Sequence, residues 1–188
     1  IKVGHGIGAG LLINGQIYRG STGSAGEIGH LTIDEKGPIC TCGNRGCLEA
    51  LSGGGAIALQ AKNAVKEKKN TQLREISTKN ISAKDVAFAA QRGDFLAQQI
   101  MEEAGEHLGV ALAGLINIFN PDMIIVGGGV AQMGDILLEP IRKTVKERSL
   151  LSATTNVRIT TALLGRRSSS MGAVAQALSI AIHMIAEK

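Results

Sequence analysis

The segment from residue 26 to residue 49 constrains the fold more than any other part of the chain, because it contains His30 and every cysteine. The cysteines are Cys40, Cys42 and Cys47. One imidazole and three thiolates complete a tetrahedral set for Zn²⁺, and a closed set of four protein ligands is typical of a structural site. Glycines between the cysteines let the chain turn back toward the same ion, and no cysteine is left over for a disulfide framework. The segment therefore predicts a loop held by zinc. Three buried thiols beside an unrelated histidine are the alternative.

Two glutamates flank this cluster of metal ligands. Glu27 lies three residues before His30, and Glu49 lies two residues after Cys47. Most glutamates are exposed and solvated, which is the plain interpretation of both. The functional interpretation is a pair of acceptors for sugar hydroxyls. A histidine that binds zinc through one ring nitrogen keeps the other nitrogen free, so the ion would also orient a group that recognises a ligand.

The motif GEIGH, followed downstream by CxCGxxGCLE, resembles the signature of the ROK family, whose name stands for repressors, open reading frames and sugar kinases. The glycine-rich runs at 4–10 and 124–130 and the segment 18–26 resemble the same family. The resemblance implies zinc ligands at His30, Cys40, Cys42 and Cys47. It also implies sugar contacts at Glu27, His30 and Glu49.

The resemblance covers essentially the whole chain and implies an α/β fold, namely the C-terminal lobe of the actin-like ATPase (ribonuclease H-like) fold with an inserted zinc-binding loop. Residues 1–188 would then form one sugar-binding and oligomerisation domain. The first lobe and any DNA-binding domain would lie upstream, in keeping with an initial Ile1 in place of methionine. The same resemblance implies a homodimer or homotetramer.

Composition excludes several other kinds of protein. Hydrophobic residues make up 44% of the chain but aromatic residues only 2%, which argues against an aromatic stacking platform for single-stranded nucleic acid. The basic residues are scattered and no helix-turn-helix pattern occurs, so DNA would be contacted only through a missing N-terminal domain. The sequence contains no uninterrupted apolar run of about 18 residues, so no membrane span is predicted. Reduced cysteines and the lack of an export signal indicate the cytoplasm.

Hydrophobic spacing and turn signals predict the main elements. Apolar residues recur at helical spacing over 95–119, after a capping Asp94, and glycines inside this helix indicate the close approach of another element. Asn14-Gly15 predicts a hairpin turn. The other elements used below are strands at 31–34 and 123–126, a helix at 136–147 capped by Asp135, and a last helix at 171–186 capped by serines 168–170.

Two glycine-rich segments are candidates for binding a nucleotide. Gly6 and Gly8 leave backbone N–H groups unshielded, as a phosphate loop requires, although a glycine-rich turn also serves pure geometry. Residues Gly127, Gly128 and Gly129 follow a predicted strand, where ligands of α/β sheets bind; the alternative is a tight connection between strand and helix. In kinases that this chain resembles, threonine usually stands at the position of His5. The substitution favours the sugar-responsive repressors over the kinases.

The resemblance also implies what a kinase would need. A sugar kinase of this family has a DxGxT phosphate loop and an Asn-Asp pair that supplies the catalytic base, and neither pattern occurs in residues 1–188. We therefore expect no catalytic residue in this chain. The leading hypothesis is the sugar-sensing effector domain of a repressor of the xylose-repressor or N-acetylglucosamine-repressor type. The alternative is the C-terminal half of a sugar kinase that uses ATP and Mg²⁺, and a third is a zinc-stapled oligomerisation module.

Overall fold

Strands and helices alternate along the chain in the computed structural model, which describes residues 1–186. The strands are β1 (Lys2–Val3), β2 (Ile7–Gly8), β3 (Leu11–Ile13), β4 (Gln16–Tyr18), β5 (Met123–Val126) and β6 (Arg158–Thr161). The helices are α1 (Leu48–Ser52), α2 (Gly54–Lys66), α3 (Ala83–Gln91), α4 (Phe95–Phe119), α5 (Asp135–Arg148), α6 (Leu151–Thr154) and α7 (Ser168–Ala186). Short 3₁₀ turns connect several of them. The mixture confirms the predicted α/β class.

Four strands lie side by side in the layer that carries the cleft. Strand β5 pairs in parallel with β6, with Ile124 opposite Ile159, and β1 pairs antiparallel with β2. Backbone bonds join the two pairs, because the N–H of Val3 donates to the carbonyl of Gly127 at 2.7 Å. The turn between β1 and β2 therefore lies at the same edge as the triple glycine that follows β5.

The predicted hairpin is confirmed in strands β3 and β4. Leu12 lies opposite Ile17 in the antiparallel register. Asn14 has φ of 52° and Gly15 has φ of 76°, and two consecutive residues with positive φ form the turn whose twist matches a two-residue hairpin.

Helix α4 has the bounds that the hydrophobic spacing predicts. At its start, the Asp94 carboxylate accepts the backbone N–H of Ala97 at 2.9 Å, as an N-cap does. The same carboxylate accepts the Thr71 hydroxyl at 2.8 Å and the N–H of Gln72 at 2.6 Å. At its end, Asn120 adopts a left-handed φ of 43°, which stops the helix before a proline.

Helix α5 packs against α4 where α4 carries glycines, which confirms the close approach expected from the sequence. A Cβ added at Gly105 would lie 2.5 Å from Pro140 Cγ, and one added at Gly109 would lie 2.5 Å from Thr144 Cβ. Gly114 faces open space, with nothing within 4 Å. Gly105 and Gly109 thus lower the intrinsic helix propensity of α4, but they permit α4 and α5 to pack closely.

Three local predictions are wrong. Residues 31–34 form no strand; Ile33 and Asp34 instead donate their N–H groups to the carbonyl of Gly46, so a tertiary contact replaces the ladder. Asp135 lies inside α5, and Gly134 precedes it with φ of 60°. Helix α7 begins at Ser168, so the predicted capping serines form its first turn.

Helix α7 leaves its apolar side chains exposed. The exposed residues include Met171, Val174, Leu178, Ile180, Ile182, Met184 and Ile185. Among residues 1–186, it is the one helix whose length and apolar composition match a membrane-crossing segment, criteria that the core helices of soluble proteins also meet. The apolar core lies elsewhere, around α4, α5 and β1.

Candidate functional site

The four predicted metal ligands meet at one point. Their ligand atoms all lie within 4.8 Å of one another. His30 Nδ1 is 3.7 Å from Cys40 Sγ, and Cys42 Sγ is 3.6 Å from Cys47 Sγ. A tetrahedral zinc ion with bonds of about 2.3 Å places its sulfur ligands about 3.8 Å apart. The donor set and its spacing therefore fit Zn²⁺, and Nε2 is the nitrogen of His30 that remains for another partner.

Glycine turns bring the cysteines together. The N–H of Cys40 donates to the carbonyl of Asn44 at 2.7 Å, which closes the loop that contains Cys42. Gly46 has φ of 67°, and a Cβ there would lie 1.5 Å from the carbonyl oxygen of Asp34. Only glycine satisfies both conditions, so this residue sets the direction in which Cys47 enters the cluster.

The thiols of Cys40 and Cys47 differ in pKa. A hydrogen bond from the backbone of Cys42, opposed by burial, lowers the pKa of Cys40 to about 6. Burial, together with the neighbouring thiols, raises the pKa of Cys47 to about 12. Thiolates packed this closely repel one another, and the positive charge of a bound divalent cation would offset that repulsion, which is why such a cation deprotonates coordinating thiols.

A cleft of about 1460 Å³ lies beside the metal loop. Both predicted sugar acceptors, Glu27 and Glu49, line it. Glu27 is exposed at the start of the 3₁₀ turn Ile28–His30, and α1 supplies Glu49, two residues after the last cysteine. His30 is half-buried and is not among the residues that line the cavity. The structure thus places the two carboxylates in one cleft, while a contact between His30 and a sugar stays a prediction.

The predicted nucleotide-binding glycines line the same cleft. They are Gly6, Gly8, Gly127, Gly128 and Gly129. Gly128 also has a structural reason to be glycine, because its φ is 97° and a Cβ would lie 2.2 Å from the carbonyl oxygen of Val3. The tight connection accounts for this residue, and a nucleotide contact stays a prediction for all five.

His5 projects from the turn between β1 and β2 toward the start of α2. A Cβ added at Gly55 would lie 3.5 Å from His5 Cε1. The N–H of Gly54 donates to the carbonyl of Gly4 at 2.7 Å, which holds the two segments together. The imidazole therefore lies at the cleft where a phosphate-binding loop would offer a hydroxyl.

Three lysines of the cleft were not predicted from the sequence. They are Lys2, Lys62 and Lys84, and no lysine was predicted to lie in the site. Residues 54, 58 and 62 follow one another at i, i+4 and i+8, so they share one face of α2. The glycines at the start of α2 could have indicated from the sequence that this face approaches another segment.

Comparison with known proteins identifies what the chain is similar to. The model of the ROK family matches residues 1–180. The chain is 35% identical over 182 residues to the xylose repressor of Caldicellulosiruptor bescii, covering 95% of this chain and 45% of the repressor. It is 39% identical over 175 residues to the glucokinase of Halalkalibacterium halodurans, covering 92% of this chain and 53% of the glucokinase. The chain thus spans about half the length of these curated relatives.

A solved structure is similar to this one over most of the chain. It is that of a ROK family transcriptional regulator, a homologue of the E. coli MLC protein, and it has a TM-score of 0.80 and 35% identity. The similarity covers 85% of this chain and 40% of that one. The predicted fold, the C-terminal lobe of the actin-like ATPase fold, is confirmed.

Proposed function

The chain belongs to the ROK family, and from this membership we propose that it is the sugar-sensing effector part of a transcriptional repressor, with a structural zinc ion bound by its cysteine loop. DNA is contacted by a domain outside residues 1–188. Sugar in the cleft shifts the balance between two arrangements of the whole protein, and differential affinity for these arrangements changes the affinity for DNA.

The observation that carries this proposal is the position of Glu27 and Glu49 in one cleft. An ionised carboxylate only accepts hydrogen bonds, so a pair of them suits a ligand rich in hydroxyl groups. The zinc loop orients His30, and the Nε2 atom of His30 supplies a third polar atom for the ligand. The ligand class is therefore a sugar with several free hydroxyls.

The assignment to the repressor branch rests on His5. Its ring occupies the turn that carries a phosphate-binding hydroxyl in the kinases that the chain resembles, and an imidazole is bulkier than that hydroxyl. The similarity to the xylose repressor supports the same branch.

Calorimetric titration tests the sugar site. Xylose, glucose and N-acetylglucosamine are titrated into the zinc-loaded chain and into the full-length protein. We expect one of them to bind, and Glu27→Gln to weaken it about tenfold because one charged hydrogen bond is worth roughly 1.5–3 kcal/mol. Glu75→Gln, at an exposed glutamate outside the cleft, is the matched control. No binding to the folded full-length protein would contradict the proposal and favour an oligomerisation module.

Elemental analysis tests the metal site. We expect one zinc ion per chain, and its loss in Cys47→Ala because a buried ligand is removed. Thr41→Ala, an exposed residue between two of the ligands, retains the metal. A purified wild-type chain that is folded and holds no metal would refute the zinc assignment.

A sugar kinase is the second candidate, favoured by the similarity to a glucokinase and by the five glycines in the cleft. In that case ATP and Mg²⁺ bind in the same cleft as the sugar, and the catalytic carboxylate comes from outside this chain. ADP release by the full-length protein with ATP and a sugar decides between the two. A DxGxT loop upstream, with no winged helix before it, agrees with the kinase.

We also propose that the protein is a cytoplasmic homodimer or homotetramer. The hairpin supports self-association, because Leu12 on β3 and Ile17 on β4 lie opposite each other on one face of the two-stranded sheet and are 70% and 48% exposed, and an exposed apolar patch favours a partner. Light scattering of the full-length protein, with Ile17→Glu as the disrupting variant, tests the assembly.

A further inference from the structure

The carboxylate of Glu49 is held by the start of β2. The backbone N–H of Ile7 donates to Glu49 Oε2 at 2.9 Å, across 42 positions of sequence. Ile7 is 4% exposed, and a buried N–H group needs an acceptor. A hydrogen bond to an ionised acceptor is roughly twice as strong as one between neutral groups. One oxygen of Glu49 is thus engaged within the protein.

Gly6 makes the room that this hydrogen bond needs. A Cβ added at Gly6 would lie 2.7 Å from Glu49 Oε2 and 3.6 Å from Glu49 Cδ. The φ of Gly6 is not positive, so its backbone is compatible with alanine, and the carboxylate is the group that an added methyl would have to displace. Gly53 approaches the other end of the same residue, since its added Cβ would lie 3.3 Å from Glu49 Cγ. The glutamate therefore lies between two glycines.

We propose that Gly6 is a positioning residue for Glu49. Because Oε2 accepts the N–H of Ile7, Oε1 is the oxygen that Glu49 offers to the cleft, which Gly6 and Glu49 both line. A methyl group at position 6 displaces the carboxylate from Ile7 and changes the acceptor geometry that a sugar hydroxyl meets. The inference rests on the proposed role of Glu49 as a sugar acceptor, and it adds the residue that fixes the orientation.

A double-mutant cycle tests the steric coupling without any sugar. The variants are Gly6→Ala, Glu49→Ala and the combination, each zinc-loaded and unfolded with urea. Gly6→Ala lowers the urea concentration at the unfolding midpoint in the wild-type background. It does not lower it in the Glu49→Ala background, because alanine at position 49 leaves space for the methyl group. Gly114→Ala, whose added methyl meets nothing within 4 Å, shows no coupling to Glu49→Ala. Equal lowering in both backgrounds would overturn the proposal.

Calorimetry then tests the consequence for binding. Xylose, glucose and N-acetylglucosamine are titrated into the full-length Gly6→Ala variant after its zinc content is shown to equal that of the wild type. The expected result is a loss of affinity of about tenfold or more, the size of one charged hydrogen bond. Unchanged affinity in Gly6→Ala, with binding intact in the wild type, overturns the positioning role alone. Absence of binding in the wild type overturns the proposed sugar site, and the positioning role with it.

Discussion

Helices α4 and α7 are both long and apolar, yet α4 is buried and α7 is exposed. Leu108 in α4 is 1% exposed, whereas Leu178 in α7 is 57% exposed. Helix α4 contacts α1, α2, α3 and α5. Helix α7 keeps its apolar residues in solvent along its length. Apolar composition therefore predicts that a helix needs a covering surface, but it does not identify that surface.

The glycines explain how α4 obtains its cover. Gly105 and Gly109 carry no side chain where Pro140 and Thr144 of α5 approach, so the two backbones come close enough for dense packing. In α7, an added Cβ at Gly172 would meet nothing within 4 Å. The difference between the helices is thus a matched partner and not a difference in hydrophobicity.

The largest effect on the free energy of unfolding is expected from truncating a buried side chain of α4. Leu108→Ala removes a fully buried side chain and leaves a cavity, so the free energy of unfolding should fall by about 2–5 kcal/mol. Urea unfolding followed by circular dichroism measures it. A loss below about 1 kcal/mol would mean that α4 is less tightly covered in solution than in this structure.

A smaller loss is expected where α4 meets α5. Gly109→Ala places a methyl group against Thr144, and overpacking of this kind costs about 1–3 kcal/mol. Gly114→Ala on the same helix is the matched control. Its methyl group is unobstructed, so it should stabilise the protein by about 0.5–1 kcal/mol through helix propensity. Effects of the same sign in both variants would contradict the close approach.

The cap of α4 should give a pH-dependent effect. Burial opposes ionisation of Asp94, but donors from Ala97, Gln72 and Thr71 outweigh it and lower the pKa of the carboxyl below its ordinary value of 3.8. The stabilisation is therefore present above pH of about 4 and is lost as the pH falls through the folded-state pKa. Asp94→Asn should lower the free energy of unfolding by about 1–2 kcal/mol at pH 7.

The difference in free energy of unfolding between wild type and Asp94→Asn should narrow at pH 3, which lies below the ordinary carboxyl pKa of 3.8, because the unfolded state binds protons there and the stabilisation from the lowered pKa declines. Urea unfolding at both pH values measures this, with Asp122→Asn at an exposed position as the control. An effect that is independent of pH would show that the charge of Asp94 does not contribute.

The smallest effect is expected in the exposed helix. Leu178→Ala removes a side chain that the chain does not bury, so the free energy of unfolding should change by less than about 0.5 kcal/mol. The same urea experiment measures it. A loss above about 1 kcal/mol would show that α7 is covered in solution, and light scattering of the same sample would show whether a second copy provides the cover.

Local signals were sufficient for much of this fold. The bounds of α4 follow from its apolar spacing and from Asp94, and the convergence of His30 with the cysteines follows from their proximity in sequence. The strand expected at 31–34 fails because Gly46 captures the N–H groups that a ladder would use.

Contacts between distant segments could not be predicted from the sequence alone. The hydrogen bond between Ile7 and Glu49 joins residues 42 positions apart, and neither residue type requires it. Lys62 was not predicted to line the cleft, because its position there depends on how α2 packs. The identity of a residue specifies its local preferences, but its neighbours are specified by the packing of the whole chain.

The pairing of β1 with β5 has a consequence for biosynthesis. The N–H of Val3 bonds to the carbonyl of Gly127, so the first strand has no neighbour on that side until the ribosome has made two thirds of this segment. The ligands from His30 to Cys47 emerge much earlier and are close in sequence, and short loops close faster than long ones. The metal ion proposed for this loop can therefore be captured before the sheet is complete, whereas β1 stays unpaired on that side, and available for wrong pairings, until β5 has been made.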